Sequence, residues 1–475
     1  MAPASRTTLR RRFSVILTAV MLAVLVLPLP AGSGRADARA QSATPGPATP
    51  PTPVLSARRI PGLLQGSIAD PALAAELRGT IDRNPETWCG RIDDAGRPVL
   101  TVSPDLPLAP ASLLKVLTGT ALLERFGPEH RLRTAMVASA VATDGVVEGD
   151  LYLVGGGDPL LTTTGYAQSF DDPEQPYVDA NALVDALAAA GVTEVRGNVV
   201  GDDSRYDAER WVATWPTRYQ SEPSIGPISA LAINDGFSGY AGSPERPNPR
   251  RRAGDPPALA AETLVSLLRS RGIGVGGQGV AGSAPVGAVE VAALDSRTMR
   301  ELVGQMVLDS DNNTAEMLLK ELGLATTGQG TTAAGLTAVR DTLARLGLVA
   351  EGLDLRDGSG LDPENRVTCA VVFAALERAG RSSDLTTSFA VGGQTGTLRK
   401  RMTGSPAVGR VVAKTGTLNS VNALAGWADT PTGATLTFVG IGNGTDARGT
   451  GAADSFAAAL MTYPQGPPLD LLRPR

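Results

Sequence analysis

Pro110-Ala111-Ser112-Leu113-Leu114-Lys115 opens an apolar stretch that reads as a helix from Ala111 to Phe126. Pro110 suits a helix start, so Ser112 falls in the first turn and Lys115 one turn on, on the same face. A helix N-terminus offers free N–H groups and partial positive charge to a developing oxyanion. A lysine desolvated on an apolar helix holds its proton less tightly and can accept one from a serine. Alone, Ser-x-x-Lys is a weak signal, because a chain of this length and ordinary composition contains about one by chance. The scarcity of lysine sharpens it. Of 43 Lys plus Arg, only Lys115, Lys320, Lys400 and Lys414 are lysines. Where a positive charge suffices this chain uses Arg, so its lysines are enriched for proton transfer, which guanidinium does not perform.

Lys414 ends the apolar strand of Val411-Val412-Ala413-Lys414-Thr415-Gly416-Thr417. There an ammonium and two hydroxyls lie along a strand edge, and Gly416 lets a ligand backbone come close. An extended peptide can pair with such an edge while its terminal carboxylate meets Lys414. Between the two lysines lies Leu308-Asp309-Ser310-Asp311-Asn312-Asn313, a polar break between helical stretches. Read by itself, Ser-Asp-Asn is a helix cap. From one cleft wall, however, Ser310 can relay a proton and Asn312 can hold an amide. The three segments occur in the order Ser-x-x-Lys, Ser-Asp-Asn, Lys-Thr-Gly, the set that serves class A β-lactamases and penicillin-binding proteins.

Composition closes off other chemistries. Hydrophobic residues make up 42% of 475, enough for more than one structural unit. The net charge is -5, and basic residues cluster only in short runs such as the N-terminus and Arg250-Arg251-Arg252, so nucleic-acid binding is not expected. His130 is the only histidine and no Gly-x-Ser-x-Gly elbow lies near it. A Ser-His-Asp triad is therefore not read here, and neither a metal site nor a cofactor is expected. Cys89 and Cys369 permit one disulfide in an exported protein, or equally two buried thiols.

Arg6, Arg10, Arg11 and Arg12 precede the apolar run Phe13–Leu27, with Ala36-Asp37-Ala38 and Ala38-Arg39-Ala40 as cleavage sites. Residues 1–40 thus read as an export signal, either cleaved, which leaves no membrane span, or kept as an anchor. Residues 41–56 are a Pro/Ala/Thr-rich linker. The pattern then predicts a peptidase unit split between 57–126 and 291–465, an inserted accessory region at 127–290 and a tail at 466–475. In the insert, short βα units alternate: a strand at Leu151–Val154, a helix at Ala180–Ala190, a strand at Val195–Val200 and a helix at Ala258–Arg271. The last third predicts helices at Ser296–Val307, Asn312–Leu322, Leu336–Leu346 and Val367–Ala379. Strands at Arg410–Lys414, Ser420–Asp429 and Thr435–Ile441 follow, then a helix at Ala452–Met461. Sequential strands on short loops imply antiparallel pairing, and with helices on either side an α+β fold.

On these residues the chain resembles the class C low-molecular-mass penicillin-binding proteins, the D-alanyl-D-alanine carboxypeptidase/endopeptidase family, over roughly 57–465. The long insert between Ser112 and Ser310 also matches, as do Gly156-Gly157-Asp158-Pro159, Asp357-Gly358-Ser359-Gly360-Leu361 and Thr395-Gly396-Thr397-Leu398. The resemblance implies a five-stranded antiparallel sheet flanked by helices, with the α/β insert set away from the cleft. It implies that Ser112 is the nucleophile, Lys115 its base, Ser310 a proton relay and Asn312 a positioning group. Lys414, Thr415, Gly416 and Thr417 would form the substrate-binding strand, and the N–H groups of Ser112 and Thr417 the oxyanion hole. Its substrates would be peptidoglycan stem peptides, and its covalent inhibitors β-lactams. Three alternatives stay open: cleavage of cross-links rather than terminal D-Ala, a β-lactamase, and a non-catalytic wall-binding scaffold. Against the second, none of Glu316, Glu321, Glu351, Glu364 and Glu377 opens the Glu-x-x-Leu-Asn pattern of a class A deacylating base.

Overall fold

The computed structural model describes residues 56, 61–81, 87–240, 251–348, 351–444, 451–466, 471 and 473. The expected export signal lies outside the described residues, as does all of the linker except Ser56. Among the described residues no helix is long and apolar enough to cross a membrane.

The strand Val421–Asp429 is buried along almost its whole length, because both faces of its sheet are covered. Side chains alternate between faces along a strand. Ala423, Ala425 and Trp427 pack with Val439 and Ile441 against the helices Leu114–Phe126 and Cys369–Ala379. Leu424 and Ala428 pack on the other side with Leu436 and Phe438, against the helices Pro61–Ile81 and Gly451–Leu460. The first of those covering helices is absent from the sequence reading.

The sheet has six antiparallel strands rather than the expected five, in the order Ala390–Val391, Val411–Leu418, Val421–Asp429, Thr435–Asn443, Trp88–Asp94, Arg97–Val102. The extra strand is two residues long and pairs only with Val412 and Ala413. That shortness matters, because it leaves the edge of Val411–Leu418 open from Lys414 onward. Leu418 pairs with Val421, so Asn419 and Ser420 form a two-residue hairpin turn that fixes the register. Cys89 and Cys369 are joined in a disulfide, with Cα atoms 5.9 Å apart, tying the sheet to the Cys369–Ala379 helix.

The insert builds a second sheet, ordered Gly279–Ala281, Val199–Asp202, Leu151–Val154, Arg131–Ala138, Val289–Thr298. Its first three strands are parallel, linked by the helices Asn181–Ala189 and Pro256–Ser270. The sheet runs to Thr298, so the expected boundary at 290 falls inside a strand. There Thr298 ends the strand and caps the next helix, Met299–Leu308, in a capping box with Glu301, which is why that helix starts three residues later than expected. The expected strand Val195–Val200 is two strands, Glu194–Val195 and Val199–Asp202, in different sheets. Asp150 accepts the Asn198 N–H at the break between them.

Residues 203–237 leave the insert as a long irregular excursion and lie on the helix Asn312–Thr327. Buried polar contacts hold it there. Lys320, with no exposed surface, donates to the Glu209 carbonyl at 2.7 Å and pairs with Asp207. Glu321 takes both arms of Arg205, at 2.6 and 2.8 Å, and the Tyr206 hydroxyl at 3.0 Å. Around them Tyr206, Trp215, Tyr219 and Ile225 pack on Met317 and Leu361.

Replacing Cys89 and Cys369 together by Ser should lower stability by about 2–5 kcal/mol. The readout is a fall in melting temperature that reductant also produces in the native protein and does not produce in the double variant.

Candidate active site

Ser112 sits in a single 3₁₀ turn, Ala111–Leu113, that runs into the helix Leu114–Phe126. Ala111 holds a left-handed backbone conformation, φ 48°, which is strained for a residue with a Cβ. Close packing from two sides holds it there. A Cβ on Gly360, itself at φ +85°, would lie 1.9 Å from the Ala111 carbonyl oxygen, and one on Gly416 would lie 2.6 Å from that of Pro110. Glycine is needed at both places. On the third side the Asn443 amide accepts the Ala109 N–H at 2.8 Å and donates to its carbonyl at 2.9 Å.

Lys115 has no exposed surface. Its Nζ lies 3.0 Å from Ser112 Oγ, donates to Asn312 Oδ1 at 2.7 Å and donates to the Ser359 carbonyl at 2.8 Å. A neutral amine has two N–H groups and one lone pair. Asn312 and Ser359 take the two hydrogens, and the lone pair is left for the Ser112 hydroxyl. Burial lowers the Lys115 pKa to about 8, against the opposing pull of Asp357, Glu316 and Asp311.

Lys414 is equally buried and donates to Ser310 Oγ at 2.8 Å and to the Thr415 carbonyl at 2.9 Å. Desolvation and the nearby positive charge of Lys115 push its pKa well below the ordinary lysine value. Ser310 adopts φ 61°, which turns it out of the helix that ends at Leu308 and toward Lys414. Asp311 caps the next helix by accepting the Thr314 N–H at 3.0 Å, so the cap reading of this segment holds for Asp311, while Ser310 and Asn312 are aimed elsewhere. Thr415 Oγ1 donates to Thr397 Oγ1 at 2.9 Å.

Ser112, Ser310, Asn312, Thr415 and Thr417 line one cleft of about 840 Å³. Lys115 and Lys414 lie just beneath it, and Gly416 presses on the serine turn. All eight singled-out residues are thus brought together. The implied separation of the insert from the cleft does not hold, because Arg218, Tyr219, Glu222 and Ser224 of the 203–237 excursion form its far wall. Asn312 donates an amide N–H to the Ser224 carbonyl at 2.8 Å. Sequence reasoning missed those four, together with the Ser359 carbonyl, Thr397 as a partner of Thr415, and Asn443. Of these, only Thr397 and Ser359 carried a signal, in Thr395-Gly396-Thr397-Leu398 and Asp357-Gly358-Ser359-Gly360-Leu361. Among the described residues no cluster of three or more His, Cys, Asp and Glu could hold a metal ion.

Known proteins resemble this chain in sequence and in fold. A D-alanyl-D-alanine carboxypeptidase of Actinomadura sp. is 30% identical over 451 residues, 79% of this chain and 79% of that one. A carboxypeptidase of Mycobacterium tuberculosis is 29% identical over 443 residues, 90% of this chain and 91% of its own. The crystal structure of penicillin binding protein 4 from Haemophilus influenzae has the same fold. It superposes with a TM-score of 0.68 at 20% identity, over 84% of this chain and 99% of that one. A model of the D-Ala-D-Ala carboxypeptidase 3 (S13) family matches residues 88–247 and 238–461, and with most of its length so matched the chain belongs to that family.

Proposed function

We propose that this chain is a serine-type D-alanyl-D-alanine carboxypeptidase that removes the terminal D-Ala of peptidoglycan stem peptides and is acylated by β-lactams. The observation that carries the reading is the buried Lys115 amine, 3.0 Å from Ser112 Oγ, with its two hydrogens already engaged. In the first half-reaction Lys115 takes the hydroxyl proton as Ser112 Oγ attacks the carbonyl of the penultimate D-Ala. The backbone N–H groups of Ser112 and Thr417 stabilise the oxyanion. Lys414, Thr415 and Thr417 hold the terminal carboxylate, which neutralises the charge of Lys414. Ser310, bonded to Lys414, relays to the departing amine the proton that Lys115 took from Ser112, so the C–N bond breaks, free D-Ala leaves and both Ser310 and Lys115 return to their starting protonation. Water then attacks the ester, returns the proton to Ser112 Oγ and releases the shortened peptide. The open edge of the strand from Lys414 to Leu418 gives an extended peptide a place to pair.

The same reading places the protein in the cell envelope. The basic and apolar N-terminal stretch supports this, as does the Cys89–Cys369 bridge, which a reducing cytosol would not maintain.

Incubating the protein with a pentapeptide ending in D-Ala-D-Ala should release one D-Ala per peptide by mass spectrometry. Fluorescent penicillin should label the native chain and leave Ser112→Ala unlabelled, whereas equal labelling of both would rule out this nucleophile. Turnover of a cross-linked muropeptide under the same conditions measures endopeptidase action separately.

Because Lys115 must be neutral to act and burial lowers its pKa to about 8, the acylation rate should rise with pH through about 8. Lys115→Arg, which cannot give up its proton, should acylate about 10²–10⁴-fold more slowly. Full acylation by that variant would exclude the lysine base.

A further inference from the structure

Two carboxylates lie beneath Lys115 that the reaction above does not use. Glu316, early in the helix Asn312–Thr327, and Asp357 are both without exposed surface. Glu316 accepts the N–H of Gly358 at 3.1 Å and of Ser359 at 2.8 Å. Asp357 accepts the N–H of Gly360 at 2.8 Å and of Asp362 at 2.6 Å, the Trp215 indole N–H at 2.8 Å and the Asn365 amide at 2.8 Å. The turn they grip presents two carbonyls to the serine helix. Ser359 gives one to Lys115 at 2.8 Å, and Gly358 gives the other to the Thr118 hydroxyl at 2.8 Å.

Stray buried acids would be expected to protonate and seek an acceptor. These two are met by donors instead. Desolvation pushes both carboxyl pKa values up, that of Glu316 to about 8 with a further push from Asp357, while the donors pull them back. Two donors to Glu316 and four to Asp357 favour the ionised form, so near pH 8, where Lys115 titrates, the pair carries negative charge.

We propose that Glu316 and Asp357 are positioning residues for the base: they fix the Ser359 carbonyl that orients the Lys115 amine and face that amine with negative charge. The charged groups facing Lys115 are Asp357, Glu316 and Asp311, and the second buried amine, Lys414, has its own pKa lowered by burial and by Lys115. Full burial of an unaccompanied lysine can lower its pKa by up to about 5 units, leaving an amine too weakly basic to hold the serine proton. The acid pair limits that fall, so that the amine is both free of its proton near neutrality and able to take one.

This inference rests on Lys115 being the base. The test is the pH dependence of penicillin acylation of the full chain. Glu316→Gln keeps the shape and removes the charge, so the acidic limb should move to lower pH by roughly one unit. Its plateau rate should fall about ten-fold, since an amide N–H₂ now meets the turn's N–H donors. Asp357→Asn should move the limb the same way, and it decides the question where Glu316→Gln fails to fold. Glu316→Asp retains the charge and should leave the limb in place while slowing the reaction. Folded variants that lose rate with an unmoved limb would reduce the pair to a structural role and overturn the proposal. A native protein that is not acylated, or one indifferent to Lys115→Arg, would instead defeat the base reading itself.

Discussion

An amine taken wholly out of water is the constraint around which this molecule is arranged. Transferring an ammonium group from water to a protein interior costs several kcal/mol unless partners replace the lost hydration. Lys115 meets that cost with two acceptors from different parts of the chain, the Asn312 side chain and the Ser359 carbonyl. Its third contact is the serine. Each partner needs support of its own: Asn312 is anchored to the Ser224 carbonyl, and the Ser359 turn hangs from Glu316. One desolvated nitrogen therefore dictates the meeting of the serine helix, the Asn312 helix, the Asp357–Leu361 turn and the insert's excursion.

Close backbone approach does the remaining placement. Two glycines let the Ser112 turn wedge between the Lys414 strand and the Asp357–Leu361 turn, and the wedge keeps Ala111 in a conformation it would leave if freed. The strain is local and lies one residue before Ser112. The short strand Ala390–Val391 contributes by stopping early. Had it continued along Val411–Leu418, the edge that faces the cleft would already be paired.

Side chains with unusual duties were readable from sequence, and backbone with unusual duties was not. Lys115 and Lys414 stand out because arginine does every ordinary cationic job here, and Ser310 and Asn312 stand out by their place between them. Lys320 shows the limit of that logic. It is just as scarce and just as buried, yet it fastens the excursion to a helix and does no chemistry. The long periodic helices and the three sequential strands were found to within a few residues, because their burial pattern is local. The excursion at 203–237 has no period to find. Its order comes from partners a hundred residues away, such as Glu321 for Arg205 and Asp357 for Trp215. The helix Pro61–Ile81 was missed because it carries a proline at position 71 and only a narrow apolar stripe, Ala69, Leu73 and Leu77. Glu316 was in view only as a rejected deacylation base, since nothing in its sequence neighbours announces the turn it holds.

The bridge between Cys89 and Cys369 closes 280 positions into a covalent ring that encloses the insert, the serine helix and the Asn312 helix. A protease acting on any surface loop within that ring opens it without parting the molecule. Two fragments would travel together until a reductant released them. Such a protein can be nicked at its periphery and still keep Ser112, Lys115 and the strand that carries Lys414 in one piece.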